Sequence, residues 1–321
     1  MIEHIQKQLT VPREYHSQRI DAVLAQLLPE YSRSQISTWI KTGAIKMNNK
    51  VCKPKDKTLG GDIIDLIVDY SETDSNFNQC EPENIPLDVI YEDEEVLVIN
   101  KPAGLVVHPG AGNREHTLVN ALLYHAPDLH HLPRAGIIHR LDKDTTGLLI
   151  VAKTLTAHTS LIRQMQAREI QRHYITLVQG HLISGGTIDT GFGRHPRNRL
   201  KMTVTGQGRQ AITHYTVNKQ YKDFTLLDVR LMTGRTHQIR VHMAHINHPV
   251  AGDQLYSGRM RFPVNASDTL RTVLQQFKRQ ALHASSLSFQ HPVTHEEITC
   301  KAPIPEDFKL LLTTLDSHYE D

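Results

Sequence analysis

The chain has 321 residues and a formal net charge of +2 at pH 7, with 39% hydrophobic and 22% charged residues. This length and composition are typical of a globular protein with two domains, and they exclude a collagen-like or low-complexity chain. No apolar run approaches the length of a membrane span, and the N-terminus lacks the apolar core of a signal peptide. We therefore expect a cytoplasmic protein without a membrane partner.

The first 14 residues are predicted to be an N-terminal arm, and two short helices follow it. Apolar side chains at helical spacing over residues 19–28 predict an amphipathic helix, which Pro29 ends. A capping-box pattern, Ser-Arg-Ser-Gln, opens a second helix at residue 32. Gly43 is expected to end that helix in a left-handed conformation.

A hairpin and a strand complete the first predicted domain. Residues 45–51 predict a tight hairpin whose two adjacent asparagines tolerate positive φ, and a strand follows over residues 63–68. Helix, helix and hairpin in this order resemble the S4 RNA-binding domain, which we place at residues 15–70. The resemblance implies that the second helix and the hairpin contact the RNA backbone, whereas ordinary surface lysines are the alternative. The candidate RNA-binding residues are Arg33, Lys41, Lys46, Lys50 and Lys53.

Residues 71–86 are acidic, polar and without periodicity, and they predict a linker to a second domain at residues 87–321. Predicted strands outnumber helices in that domain, and it has no Gly-rich phosphate loop or repeating βαβ pattern. We therefore expect an α+β fold whose core is a mainly antiparallel or mixed sheet with peripheral helices. Strands are predicted near residues 87–91, 96–100, 174–180, 210–220, 225–232 and 287–290, and helices near 116–125 and 156–167.

Charge and cysteines are unevenly placed along the chain. Residues 59–100 contain twelve acids and no Lys or Arg, whereas residues 190–220 contain six Lys or Arg and no acid. The basic segment predicts a face for a polyphosphate partner, and a solvated loop is the alternative. Its candidate contacts are Arg194, Arg197, Arg199, Lys201 and Arg209. Cys52, Cys80 and Cys300 are odd in number and lack a C-x-x-C pair, so we expect free buried thiols.

The most informative stretch is residues 136–152, where a polar turn joins two apolar runs. The runs at residues 137–138 and 148–152 predict buried strands. The turn between them contains Asp142 close to Arg140. A turn that core strands hold is rigid, which suits a catalytic group, whereas an aspartate that only caps a backbone N–H is the alternative.

Several motifs, in one order, resemble those of the RluA-type pseudouridine synthases. His-Arg-Leu-Asp at residues 139–142, followed by Thr-Gly-Leu-Leu, is similar to the motif that contains the catalytic aspartate of that family. Arg-His-Tyr at 172–174 and Gly-Arg-Thr-His-Gln-Ile-Arg at 234–240 are similar to two further motifs. The resemblance extends from about Tyr15 to the C-terminus and implies the pseudouridine synthase fold.

The resemblance implies an isomerase that converts uridine to pseudouridine in RNA without a metal or other cofactor. The reaction breaks the N1–C1′ bond, turns the uracil and rejoins it through C5. It needs an ionised carboxylate that attacks C1′ or takes a proton from C2′, and Asp142 is the candidate. The resemblance points to Arg235 as the guanidinium that orients this carboxylate, although Arg235 could instead bind a turn carbonyl.

Two further residues are assigned to the catalytic site. The family's tyrosine lies against the target base, so the ring of Tyr174 could stack on uracil while its hydroxyl stays wet. Arg140 could fill the space that an extruded uridine leaves and hold the neighbouring phosphate. Rim packing of Tyr174 and an ion pair between Arg140 and Asp144 are the alternatives.

Within the family, the chain most resembles enzymes that modify the RNA of the large ribosomal subunit. This implies uridines in the stem-loop of helix sixty-nine as substrate, and other ribosomal RNA sites are the alternative. We expect a monomer that acts on this RNA or on its precursor particle.

Three interpretations from other classes compete with an isomerase. Asp142 and Asp144 could hold Mg²⁺ in a nuclease, but Arg140 and Lys143 crowd them. A non-catalytic S4-type RNA-binding protein would not need the motifs of the second domain. A metal-dependent RNA hydrolase could use a histidine cluster, although the spacing rotates the last histidine away from the others. These histidines are His237, His242, His245 and His248.

Overall fold

The computed structural model describes residues 2–28, 31, 33–71, 80–110, 113–258 and 262–320. The chain divides into two compact units, Met1–Gln79 and Cys80–Asp321. Among the helices in these ranges, none is long and apolar enough to cross a membrane.

The N-terminal unit packs two helices against a four-stranded antiparallel sheet. Its elements are β1 (Ile2–Thr10), α1 (Ile20–Leu27), α2 (Arg33–Thr42), β2 (Ile45–Met47), β3 (Lys50–Val51) and β4 (Ile63–Ser71). The sheet order is β1-β4-β2-β3. Ile20 and Leu24 of α1 pack with Ile36 and Ile40 of α2 and with Leu66 of β4, and all five are fully buried. The i, i+4 spacing in both helices thus forms the core that the sequence predicted.

The predicted turns of this unit are confirmed. Gly43 follows α2 with φ of 80°, and the hairpin residues Asn48 and Asn49 have φ of 51° and 61°. Asparagine tolerates this left-handed conformation because its short polar side chain bonds locally. Pro29 and Ser32, the predicted end and start of the two helices, lie outside the described residues.

Strand β1 corrects the prediction of an N-terminal arm. It pairs with β4 along its whole length, from Ile2 opposite Ser71 to Thr10 opposite Ile63. Apolar residues at positions 2, 5 and 9 do not alternate with the period of two that marks a strand, so the pattern gave no signal. The pairing arises because the edge of β4 offers backbone donors and acceptors to any neighbouring chain.

The described part of the predicted linker also differs from expectation, because it is bonded to the C-terminal unit. The amide of Glu83 donates to the carbonyl of Asn120 at 3.0 Å, and Asn120 Nδ2 donates to the carbonyl of Glu81 at 2.7 Å. Polar sequence without periodicity predicts irregular structure but cannot distinguish a free tether from one that is held. Residues 72–79 lie outside the described residues.

One ten-stranded sheet forms the core of the C-terminal unit. Its strands are β5 (Val89–Glu92), β6 (Val96–Lys101), β7 (Thr146–Ala152), β8 (Gln171–Gln179), β9 (Gly186–Arg194), β10 (Met202–Val204), β11 (Arg209–Gln220), β12 (Phe224–Leu231), β13 (Leu282–Gln290) and β14 (Glu297–Lys301). The order is β10-β9-β11-β12-β8-β13-β7-β6-β5, with β14 on β13. Among the described strands of this sheet, β13 and β7 alone pair in parallel, so the predicted mixed sheet is confirmed.

Five α-helices accompany this sheet in the described residues. They are α3 (Leu118–His125), α4 (Leu155–Ala167), α5 (Gln238–His245), α6 (Asp268–Gln276) and α7 (Glu306–Glu320). Of these, α3 and α4 were predicted. The sequence analysis missed the other three, together with β9, β10 and β14.

Strand β7 lies in the interior of the sheet, and all seven of its residues are buried. The other predicted strand of this motif is wrong, because Ile137 makes only one bridge, to Val151. The preceding residues Arg134, Ala135 and Gly136 all have positive φ and turn the chain away from an extended conformation. The motif that contains Asp142 therefore enters the core through a tight turn followed by one buried strand.

All three cysteines are free. Cys52 and Cys300 are buried as predicted, and Cys80 is half-buried.

Candidate active site

Asp142 lies in a tight turn that leads into β7. The amide of Thr145 donates to the carbonyl of Asp142 at 3.1 Å and closes the turn. Gln280 Nε2 donates to Thr145 Oγ1 at 3.0 Å, and Thr146 Oγ1 lies 2.9 Å from Nδ1 of His283 in β13. The turn is therefore fixed by side chains that come from a distant part of the sequence.

A buried lysine holds the same turn from β6. Lys101 is fully buried, and its Nζ donates to the carbonyls of Pro102, Leu105 and Lys143 at 2.7, 2.9 and 2.8 Å. Burial lowers the pKa of Lys101 to about 7, against the charges of two nearby aspartates, which raise it. The three carbonyls match the three N–H groups of an ammonium. Lys101 thus ties the residue after Asp142 to the end of β6.

The carboxylate of Asp142 pairs with Arg240 of α5. Arg240 Nη1 donates to Asp142 Oδ2 at 2.9 Å, while Nε and Nη2 donate to Asp253 at 2.6 and 2.9 Å. Burial alone would lower the pKa of Arg240, but the hydrogen bonds and charges of Asp253 and Asp142 raise it above its ordinary value. The bidentate contact to Asp253 orients the guanidinium, so that its third donating nitrogen is directed at Asp142.

The expected pairing of Arg235 with Asp142 is wrong. Arg235 is exposed, and its Nε donates to the carbonyl of Gln210 at 3.4 Å. The reason is the start of α5 at Gln238: Arg235 belongs to the loop before the helix, whereas Arg240 lies within the helix on its buried side. Spacing within the motif does not reveal where the helix begins.

A second group faces the other oxygen of Asp142. Nε2 of His237 lies 3.9 Å from Asp142 Oδ1, and its Nδ1 lies 2.8 Å from the hydroxyl of Tyr256. The amide of Met202 donates to that hydroxyl at 2.8 Å, so the phenolic proton is available to Nδ1. Burial lowers the pKa of His237, and we assign the neutral ring with its proton on Nε2, toward Asp142.

Tyr174 and Arg140 border this cluster. Tyr174 on β8 is 5% exposed, so little of its ring reaches solvent. Burial raises the pKa of Tyr174; the charge of Arg172 lowers it and that of Asp142 raises it again. Arg140 is exposed and makes no ion pair with Asp144 or another described residue. The stacking role of Tyr174 and the phosphate role of Arg140 stay predictions.

The basic segment between β9 and β10 adjoins the same cluster. Nζ of Lys201 lies 5.9 Å from the ring centroid of Tyr256, next to the amide of Met202 that binds its hydroxyl. Lys201 is half-buried. The exposed cations of the segment and of the following strand are Arg194, Arg197, Arg199 and Arg209.

The candidate cations of the N-terminal unit fall into two groups. Lys41, Lys46, Lys50 and Lys53 are exposed and make no ion pair within the described residues. Arg33 instead donates to Asp21 at 2.9 Å. Lys55 and Lys57 are also exposed on the segment after the hairpin, although the sequence analysis did not select them.

The histidines of the rival metal site are engaged in the fold. His242 lies with Nδ1 2.8 Å from Thr213 Oγ1 and Nε2 3.1 Å from Thr190 Oγ1. His248 Nδ1 lies 3.0 Å from the carbonyl of Gln179. In the described parts of the chain, no group of three or more His, Cys, Asp or Glu residues is placed to hold a metal ion.

Comparison with known proteins gives the family of this chain. The family described as RNA pseudouridylate synthase matches residues 95–245, and the S4 domain matches residues 18–64. A ribosomal large subunit pseudouridine synthase D from Xanthomonas campestris is 52% identical over 309 residues, which cover 96% of this chain and 92% of that protein. The chain belongs to the RNA pseudouridylate synthase family. The protein of the same name from Escherichia coli strain K12 is 47% identical over 322 residues, covering 100% of this chain and 98% of its own.

The structure of this RNA pseudouridylate synthase is similar to the solved structures of two human proteins. Human RNA pseudouridylate synthase domain containing 4 has a TM-score of 0.56 at 25% identity, covering 71% of this chain and 92% of that chain. Human RNA pseudouridylate synthase domain containing 1 has a TM-score of 0.52 at 25% identity, covering 73% and 96%. The predicted order of an S4 domain and a pseudouridine synthase domain is confirmed, and so is the predicted class of enzyme, an isomerase.

The functional residues that sequence reasoning missed differ in the signal they left. Arg240 and His237 lie within the quoted motif but were given no role in this site. Asp253 and Tyr256 follow α5 in an irregular segment without a recognisable pattern. Only their contacts to Arg240 and His237 place them in the candidate active site.

Proposed function

We propose that this enzyme isomerises uridines in the RNA of the large ribosomal subunit and that Asp142 is its catalytic carboxylate. The observation that carries the proposal is the ion pair of 2.9 Å between Asp142 and Arg240, which Asp253 orients. The names of relatives that match nearly the whole chain support the ribosomal substrate. A ribosomal substrate also implies a cytoplasmic enzyme, and the monomer stays a prediction.

The hydrogen bonding of the Asp142 carboxylate suits a negative charge that acts at the ribose. Arg240 donates a hydrogen bond to Asp142 Oδ2. Among the described residues, the group that faces Oδ1 is His237, whose Nε2 lies 3.9 Å away, beyond hydrogen-bonding distance. The less engaged oxygen either attacks C1′ or takes the C2′ proton. In both routes the N1–C1′ bond breaks, the uracil turns and C5 bonds to C1′. In the first route the bond between Asp142 and C1′ breaks as C5 attaches, and in the second Asp142 returns the proton to C2′. C5 then loses its proton and N1 gains one, so atoms and electrons balance.

The target uridine must leave its stack before C1′ can be reached. Arg140 is exposed two residues before Asp142, where a cation could occupy the vacated space and contact the next phosphate. Tyr174 lies deeper, on β8, and we propose that the edge of its ring contacts the extruded uracil. Lys201 and the neighbouring cations add attraction for the RNA backbone around the site.

We further infer that the substrate is the loop of helix sixty-nine, whose exposed bases need little energy to flip. Mapping by carbodiimide-dependent reverse-transcription stops tests this in ribosomal RNA from cells that lack the enzyme. We expect the stops in that loop to disappear and to return with the intact enzyme but not with the Asp142→Asn variant. A loop that kept its pseudouridines while other sites lost theirs would contradict the helix sixty-nine assignment and leave the enzyme class standing.

The exposed lysines of the S4 domain are expected to contact phosphates. Replacing Lys46, Lys50 and Lys53 together with glutamine should reduce the slope of log K against log salt by roughly 2 to 3, from about 0.7–0.9 per lost contact as established for DNA. The rate of isomerisation at saturating RNA should change little, because these residues supply no catalytic group. Fluorescence anisotropy with a labelled RNA stem-loop at several salt concentrations measures the slope.

The matched control removes the same charge from the catalytic unit. It replaces three of the exposed lysines of that unit, Lys222, Lys278 and Lys301, with glutamine. An equal loss of slope in the control variant, or an unchanged slope in the S4 variant, would show that the S4 lysines do not contact RNA.

A further inference from the structure

One buried cation of the catalytic unit is not explained by the site described above. Arg172, the second residue of β8, is 6% exposed, and its Nε is buried without a hydrogen-bond partner. No carboxylate of the described residues pairs with its guanidinium. Burying an unpaired charge and an unsatisfied donor costs folding free energy. The described residues therefore supply no counter-charge for this arginine.

Arg172 lies beside the catalytic cluster. It is two residues before Tyr174 on β8, and alternate residues of a strand face the same side of the sheet. The charges of Arg172 and Asp142 both act on the phenol of Tyr174. Burial lowers the pKa of His139 to about 3, and the charge of Arg172 acts in the same direction. The charge of Arg172 thus acts on a neutral phenol and a neutral imidazole, and neither supplies a counter-charge.

The tip of the guanidinium lies directly under an exposed glycine. A Cβ at Gly234, in the loop between β12 and α5, would lie 2.6 Å from Arg172 Nη1. The φ of Gly234 is not in the left-handed region, so glycine is needed there for space. Because Gly234 is exposed, a ligand that reaches this loop comes close to Nη1.

We propose that Arg172 binds a phosphate of the RNA backbone beside the target uridine and that this phosphate is its missing counter-charge. The proposal rests on RNA as the substrate. A uracil carbonyl would accept a hydrogen bond but would leave the charge uncompensated. A phosphate accepts hydrogen bonds, compensates the charge and matches the planar fork of a guanidinium. Arg172 then holds the backbone while Asp142 acts on the ribose.

Equilibrium binding tests the contact without turnover. In an Asp142→Asn background, Arg172→Gln should weaken binding of an RNA stem-loop about tenfold and lower the salt slope by about 0.7–0.9. Arg172→Lys keeps the charge and should keep most of the slope. The matched control is Arg230→Gln, because Arg230 is exposed on β12 opposite His173, on the other face of the sheet. An unchanged affinity and slope for Arg172→Gln would overturn the proposal, as would the same losses in the control.

Replacing one phosphate of the RNA with an uncharged linkage locates the phosphate that Arg172 contacts. Stem-loops that each carry one methylphosphonate, at successive positions, should bind the protein with intact Arg172 more weakly at the linkage that Arg172 contacts, next to the target uridine. Linkages that Arg140 and the other cations contact should stay sensitive in Arg172→Gln. Arg172→Gln should lose nothing further at that linkage. Equal losses at every linkage, or additive losses at the sensitive one, would overturn the contact.

Two controls complete the test. If Arg172→Gln does not fold, the methylphosphonate series is measured with the intact protein and with Arg172→Lys. The absence of any sensitive linkage next to the uridine in these two proteins would contradict the proposal. Failure of the proposed function has a different outcome: the sensitive linkage is present, but the enzyme with Asp142 intact produces no pseudouridine in that RNA.

Discussion

Replacing Asp142 with asparagine is expected to abolish isomerisation, with a loss of several orders of magnitude in rate and little change in RNA affinity. The amide keeps the shape of the side chain, and its oxygen can still accept the hydrogen bond of Arg240. It lacks the negative charge that both candidate routes require, whether attack at C1′ or removal of the C2′ proton. Release of tritium from uridine labelled at C5 measures turnover, and filter retention measures binding.

The matched control for this substitution is Asp144→Asn, two residues further along the same loop. The contact of Asp144 to Arg279 uses its backbone carbonyl, at 3.4 Å, which the substitution keeps. We expect this variant to stay within a few-fold of the intact enzyme. Substantial turnover by purified Asp142→Asn, or an equal loss in the control, would remove Asp142 from the mechanism.

Arg240→Gln is expected to reduce the rate by roughly two to three orders of magnitude, similar to removal of one oriented charge-stabilising donor elsewhere. It should also reduce the free energy of unfolding by about 3–5 kcal/mol, because fully buried Asp253 loses its partner. Rates must therefore be measured well below the melting temperature of the variant. Arg240→Lys should restore little of the rate, since an ammonium cannot match the fork that spans Asp142 and Asp253.

Arg235→Gln is the matched control, since it removes the same charge from the loop before α5. Arg235 is exposed, and in the described residues its side chain donates one hydrogen bond, to the carbonyl of Gln210. We therefore expect an unchanged melting temperature and a much smaller loss of rate. An inactive Arg235→Gln beside an active Arg240→Gln would reverse the assignment of the Asp142 partner. Thermal unfolding and single-turnover kinetics on the two variants decide between them.

The sequence by itself determined the features that depend on neighbours along the chain. Helical spacing of Ile20 and Leu24 predicted α1, and the paired asparagines at residues 48–49 predicted a turn with positive φ. The turn that carries Asp142 was also predicted, because polar residues interrupt apolar runs there. Each of these signals is local, so periodicity and turn chemistry were sufficient.

Only the tertiary structure decided which side chains meet Asp142. Arg240 is 98 positions away in sequence, and its role depends on where α5 begins and on which side of the helix faces the sheet. Asp253 and Tyr256 enter the site because the irregular chain after α5 folds back onto that helix. Strand pairing places Arg172 in the sheet interior, where its charge has no partner among the described residues. Contacts of this kind depend on how whole helices and strands pack together. Such packing produces no periodic pattern or fixed spacing in the sequence, so the sequence does not predict these contacts.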